Sequence, residues 1–245
     1  MNGRKVRQEE STMKSPPQRL RNKVVPIEAV LSFIEDGCTL MFGGFGGVGN
    51  PPTLIKEIIK KGIKDLTLIG NDAGFPTIGI GQIVTRGMAK KMIVSHIGSN
   101  PIAGQLMMEG KMEVEFSPQG TLVERIRAGG VGLGGILTDV GIDSILEEGK
   151  QKLTVNGKEY LLETALTADV SIVYAKKADT FGNLIYETSA RNTNPLVAMA
   201  GACTIAEVEE IVEAGELNPE EIITPGVYVD RVVQSKGVDW KWAWE

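Results

Sequence analysis

Histidine is nearly missing from this sequence: His96 stands alone in 245 residues. A Ser-His-Asp or Cys-His relay would have to run through it. With one histidine and no Cys/His/Asp cluster, a metal site is not expected. Cysteine is almost as scarce. Cys38 and Cys203 lie far apart in no metal-ligand spacing and read as two buried thiols of a reducing, cytoplasmic compartment. No apolar run approaches the ~18–20 residues that span a bilayer, so no membrane segment is expected. The N-terminus lacks the apolar stretch of a secretory signal. Aromatics make up only 5% of the chain, yet all three tryptophans fall at 240, 242 and 244. That period-two spacing would put the three indoles on one side of an extended strand. They either fold back on the body or pack on another subunit.

Charge is unevenly spread. Residues 1–23 carry seven Lys and Arg against Glu9 and Glu10, a net of +5, so with −5 overall the remainder carries −10. The first 23 residues therefore read as a basic, disordered leader, with Met13 as an alternative start. An acidic body argues against nucleic acid as the main ligand. At 42% hydrophobic and 23% charged, the rest has the composition of an ordinary globular protein long enough for a substantial core. We read one domain over 24–234 and a separate Trp-rich tail over 235–245.

Apolar periodicity predicts helices over residues 26–35, 53–61, 78–86, 102–108 and 122–127. Short runs at 39–42, 66–69, 92–95, 113–116 and 170–174 predict strands, those at 39–42 and 170–174 buried, with a turn at Gly182-Asn183 leading into 184–186. Strands alternating with helices of about ten residues indicate βαβ units and a parallel sheet. Residues 152–162 break the pattern. They form two alternating segments around Asn156-Gly157, a type I′ hairpin signal. The expected fold class is α/β: an open, mostly parallel sheet with flanking helices and an antiparallel hairpin insertion.

The run Gly43-Gly44-Phe45-Gly46-Gly47-Val48-Gly49 packs five glycines into seven residues between a strand and a helix. Such a loop reaches positive φ and brings its amides close to a ligand, and the helix start after it favours an anion such as phosphate. Residues 44–49 also match G-x-G-x-x-G, with Asp72 at the end of the next strand where a ribose-binding acid would stand. Pro51-Pro52 weakens that dinucleotide reading, because it delays the helix past Gly49. A P-loop is excluded, since Glu148-Gly149-Lys150 is not followed by Ser or Thr. His96 falls at the end of a strand, either as part of a site or as a structural donor. Gln119 stands at another strand end, where its amide could donate to a developing oxyanion or cap the next helix. Glycines at 129, 130, 132, 134 and 135 suggest a second flexible loop, a lid or a subunit contact. From these residues alone the chain has a binding loop and no evident chemical engine.

Several motifs in consistent order give the sequence a closer match. They are residues 35–51 around the glycine run, Asn71-Asp72, residues 95–101 (Ser-His-Ile-Gly-Ser-Asn-Pro), residues 117–130 around Gln119, residues 189–195 (Ser-Ala-Arg-Asn-Thr-Asn-Pro) and Thr224-Pro225-Gly226. Together they resemble the alpha subunit of family I CoA-transferases, the 3-oxoacid group acting on acetate, butyrate or acetoacetate. The resemblance spans roughly residues 24–234. It implies an open α/β fold shared with sugar-phosphate isomerases, coenzyme A as a substrate with no permanently bound cofactor, and an obligate beta subunit in a heteromeric assembly. It further implies ping-pong covalent catalysis through a glutamate on that partner. Carried over by position, residues 43–49 match the CoA-binding segment, and Gln119 matches the glutamine that contacts the thioester oxygen. Gly46 and Gly47 make the loop richer in glycine than in many relatives, and Ser99 replaces a common Thr. Neither the leader nor the Trp-rich tail has a counterpart.

Overall fold

The computed structural model describes residues 22–240; the basic leader, apart from Asn22 and Lys23, and residues Trp242 and Trp244 lie outside them. Helix α1 (Ile27–Val30) precedes strand β1 (Thr39–Phe42). Then α2 (Pro52–Lys61), β2 (Leu66–Ile69), α3 (Gly81–Thr85), β3 (Ala89–Val94), α4 (Pro101–Met108) and β4 (Glu113–Phe116) alternate, ending in α5 (Gln119–Gly130). A small antiparallel sheet follows: β5 (Gly135–Thr138), β6 (Lys152–Val155) and β7 (Lys158–Thr164). Strand β8 (Ala168–Asp179), β9 (Leu184–Ile185), α6 (Asn194–Ala200), β10 (Gly201–Val212) and β11 (Arg231–Gln234) complete the chain.

The main sheet runs β11-β10-β8-β1-β2-β3-β4 with every neighbouring pair parallel, and β9 adds antiparallel to β8. The chain builds outward from β1 in one direction through β4, then crosses to β8 and builds the other way. The gap beyond β1 and β8 is therefore a topological switch point, where open α/β sheets bind ligands. Alternation along each strand sends side chains to two cores. Leu40, Phe42, Leu68 and Met92 pack under α1 to α4, while Met41, Ile69 and Ile93 pack under α5 and α6.

Local chemistry explains the elements that set the site. Helix α2 starts with Pro52, whose absent N–H costs nothing there, buries Leu54, Ile55 and Ile58, and stops at Gly62 with φ 73° after Lys60 and Lys61. Asn156 and Gly157, at φ 52° and 77°, form the two-residue turn that sets the β6–β7 register, as the sequence predicts. Three expectations are corrected. The first helix is one short turn continued as a 3₁₀ turn over Leu31–Phe33. Gly129 and Gly130 belong to the last turn of α5, where a Cβ on Gly129 would lie 2.0 Å from the Leu166 carbonyl, so they serve close packing. Both cysteines are free and half-buried rather than buried, and burial pushes each thiol up.

Candidate functional site

The glycine loop leaves β1 at the switch point and folds into its own tight turn. Phe45 and Val48 exchange backbone hydrogen bonds at 2.9 and 3.0 Å across Gly46 and Gly47, whose φ values are 55° and 90°. The other amides are taken up by the protein. Gly43 N–H donates to the Ile172 carbonyl, Gly44 N–H to Asn192 Oδ1 at 3.0 Å, and Gly46 N–H to Asp72 Oδ2 at 2.8 Å. Among the described residues, only the Gly47 and Gly49 amides of this loop meet no acceptor. The expected amide-lined anion cradle is therefore largely filled from within.

The α2 helix start is filled as well. Glu207, buried in β10, accepts Thr53 N–H at 3.1 Å and Leu54 N–H at 2.9 Å, and Ser235 Oγ donates to the same carboxylate at 2.6 Å. Burial pushes this carboxyl up, against the pull of the Ser235 hydroxyl and the two helix amides. Sequence reasoning assigned those amides to a phosphate; the chain's own carboxylate occupies them. Nothing in the sequence around Glu207 signals this.

The glycines have packing reasons. A Cβ on Gly43 would sit 1.8 Å from Asn194 Oδ1, and one on Gly49 would sit 2.4 Å from the Ala190 carbonyl. Asn194, fully buried, receives the Tyr174 N–H on Oδ1 and donates Nδ2 to the carbonyls of Gly49 and Ala190. Asn192 receives Gly44 N–H and donates to the Val48 carbonyl at 3.0 Å. The asparagines of the 189–195 motif thus hold the loop, a role the sequence did not reveal. Phe45 remains 44% exposed at the tip and, with Val48, Ser189 and Asn192, lines a cavity of about 270 Å³.

Asp72 is no ribose ligand here. At 2% exposure its carboxylate is saturated by the N–H groups of Gly46 and Gly74 and by Asn71 Nδ2 at 2.7–2.8 Å. His96 is exposed at the end of β3, its ring centroid 6.4 Å from that of Phe45. Ser95 Oγ beside it donates to the Asn71 carbonyl at 2.6 Å and lies 3.4 Å from His96 Nδ1, so its proton goes to the carbonyl and the serine–histidine contact is a long one. Trp240 folds back on the body: Nε1 donates to the Asn50 carbonyl at 3.1 Å, and its ring meets Tyr174 edge-on at 5.2 Å.

Gln119 opens α5 directly after β4. Strands β2 and β3 separate it from the glycine loop, roughly 14 Å at ordinary strand spacing. Both lie on the carboxyl edge of the sheet without touching. Gln119 is exposed and its side chain caps nothing, because the position before α5 is Pro118 with no side-chain cap. The first bond of the helix is made by Leu122 N–H to the Pro118 carbonyl at 2.8 Å. Unlike at α2, no side chain among the described residues caps the first amides of this helix. Beside it opens a cleft of about 480 Å³ between α5 and β5.

Among the described residues no group of His, Cys, Asp and Glu could hold a metal, and no helix is long and apolar enough to cross a membrane. Residues 24–235 match the family model described as coenzyme A transferase. A protein from Bacillus subtilis strain 168, "probable coenzyme A transferase subunit alpha", is 59% identical over 224 residues, 91% of this chain and 98% of that one. The "acetate CoA-transferase subunit alpha" of Escherichia coli K12 is 47% identical over 217 residues, 89% and 99% of the two chains. Among solved structures, an acyl-CoA transferase from Escherichia coli O157:H7, in a thioester complex with CoA, superposes with a TM-score of 0.77 at 24% identity. That match covers 89% of this chain but only 47% of the longer solved one, and it carries the fold alone. The chain belongs to the coenzyme A transferase family and resembles its alpha subunits.

Proposed function

We propose that this chain is the alpha subunit of a heteromeric CoA-transferase that moves CoA between an acyl-CoA, of the acetyl, butyryl or 3-oxoacyl kind, and a free carboxylate. A glutamate on a beta subunit supplies the nucleophile. Its carboxylate attacks the thioester carbonyl, releasing CoA thiolate and leaving an acyl-glutamyl anhydride. The thiolate then attacks the glutamyl carbonyl, freeing the carboxylate product and forming a glutamyl-CoA thioester. An acceptor carboxylate takes CoA by the reverse steps, splitting one hard exchange into easier ones.

The observation that carries this reading is Gln119: an uncommitted amide donor in the first turn of α5, on the carboxyl edge, at the mouth of a cleft. Such a donor stabilises the tetrahedral oxyanion that each step passes through. Two buried carboxylates bonded at the glycine loop and the helix after it, Asp72 and Glu207, are engaged by the chain's own donors. This is in keeping with a borrowed nucleophile. In the same reading residues 43–49 meet CoA through Phe45, Val48 and the amides of Gly47 and Gly49.

The test is reconstitution. The purified chain alone should show no exchange of CoA between acetyl-CoA and butyrate. Addition of the beta subunit should restore it, with borohydride-sensitive glutamyl thioester appearing on the beta chain. Full exchange by the isolated chain would overturn the proposal.

A further inference from the structure

The cleft beside Gln119 is walled by Val123 and Glu124 of α5, by Ile136 and Leu137 of β5, and by Val140 beyond it. Its volume of about 480 Å³ is in the range of small-molecule sites. Leu137 and Val140 are 42% and 49% exposed, apolar surface that the fold itself leaves to water. No lysine or arginine lines the cleft. Its one ionised group is Glu124, paired with Arg127 at 2.7 Å.

We propose that this cleft receives the acyl chain of the thioester and is built for an uncharged aliphatic chain rather than one ending in a second carboxylate. The inference rests on Gln119 as the thioester contact, which places the carbonyl at the cleft mouth and sends the chain between α5 and β5. Val123 lies one helical turn beyond Gln119, on the same side of α5, so the wall next to the carbonyl is apolar. Each methylene that replaces water against Val123, Ile136 and Val140 gains transfer free energy. A terminal carboxylate would lose its hydration there with no cation in the lining to meet it, since the neighbouring Arg127 is already held by Glu124. Charge thus favours a monocarboxylate donor such as butyryl-CoA over a dicarboxylate half-ester such as succinyl-CoA.

The experiment uses the assembled alpha–beta enzyme with acetyl-CoA, butyryl-CoA and succinyl-CoA as donors. In the wild type, kcat/KM should rise roughly fourfold per methylene from acetyl to butyryl, and succinyl-CoA should fall about a hundredfold below butyryl-CoA. Ile136→Trp should fill the cleft and cut the butyryl-to-acetyl ratio about tenfold. Glu124→Gln should narrow the gap between succinyl-CoA and butyryl-CoA. If Ile136→Trp fails to fold or to hold the beta subunit, Val140→Phe on the half-exposed rim reads the same ratio. An active enzyme whose ratios ignore these substitutions, as when a partner side chain fills the cleft, overturns this inference alone. So does an active wild type that prefers succinyl-CoA. A wild-type assembly inactive on every ester overturns the transferase reading and this one with it.

Discussion

The carboxylate of Glu207, from β10 at the far side of the switch point, lies 2.9 Å from the backbone nitrogen of Leu54 in the first turn of α2. One side chain thereby ties the helix that follows the glycine loop to the strand that backs it. Ser235, just past β11, joins the same carboxylate, and the Lys236 N–H reaches Thr53 Oγ1 at 3.0 Å. The C-terminal segment is thus anchored beneath the loop before Trp240 caps it.

Glu207→Gln should destabilise the chain by about 2 kcal/mol, because an amide NH₂ must then face either the Thr53 or the Leu54 N–H. The sign of the pH effect follows from burial. A carboxyl raised in the folded state is easier to keep protonated there, so stability declines as pH rises from about 4.5 through the folded value. Urea unfolding of both proteins between pH 4 and 8 should show that decline in the wild type and a flatter profile in the variant. Parallel profiles would remove Glu207 as the titrating group.

Arg125 is the hub of a second buried arrangement. Its Nε donates to the Thr164 carbonyl at 2.8 Å, its Nη1 meets Glu115 at 3.0 Å, and Glu163, 3% exposed, lies beside it and against Lys150. These contacts fix α5, and so Gln119, against β4 and β7. Arg125→Met should cost about 2 kcal/mol, because the Thr164 carbonyl loses its donor and Glu115 and Glu163 are each left with a lysine alone, Lys91 and Lys150. Burial pushes the Glu115 carboxyl up, but the hydrogen bond and charge of Arg125, with Lys91, outweigh it and leave the group lowered. A lowered carboxyl contributes stability above about pH 4.5 and loses it as pH falls through the folded value. The difference between wild type and variant in denaturant midpoints should therefore shrink below pH 4.5. A constant difference would contradict the ion-pair account.

Sequence pattern carried the β1-to-β4 half of the sheet well. The runs at 39–42, 66–69 and 113–116 are β1, β2 and β4 to the residue; β1 and β2, covered on both faces, read as mostly apolar runs, while the edge strand β4 (Glu113-Val114-Glu115-Phe116) alternates charged and apolar residues and is only part-buried. It carried β8 only in part and missed β10. Beyond the shared core these two strands outrun β1 and pair with each other through Lys176–Glu209 and Lys177–Glu210 at 3.1 and 2.8 Å. Charges in such a cross-strand ladder erase the apolar run that marks a strand. At the site, the spacing of the glycines was visible, but what they accommodate was not. The loop's counterparts, Asn192 and Asn194, stand some 145 residues downstream, and no local pattern encodes that contact.

Asp72→Asn should act on the loop more than on the fold. Three N–H groups converge on this carboxylate, and an amide can accept only on one side, so the Gly46 or Gly74 N–H loses its partner. The expected result in the assembled enzyme is a rise of roughly tenfold in KM for the CoA ester, with a smaller change in kcat, as a loosened loop loses its preorganisation. The melting temperature should drop by only a few degrees. An unchanged KM would place the glycine loop outside the CoA contact.

Gln119→Ala separates a chemical role from a structural one. The side chain is exposed and caps no helix amide, so its removal should leave the melting temperature nearly unchanged. If its amide donates to the oxyanion, kcat/KM in the assembled enzyme should fall by about 10²-fold across acetyl-CoA and butyryl-CoA alike, because the lost hydrogen bond is made to the carbonyl and not to the chain. Gln119→Glu should be poorer still, since a carboxylate at that position opposes the developing negative charge. Matched losses for both esters with an intact fold would tie Gln119 to the reacting carbonyl. A loss confined to butyryl-CoA would instead assign it to the cleft wall with Val123 and Ile136, and the oxyanion donor would have to be sought elsewhere, in the beta subunit.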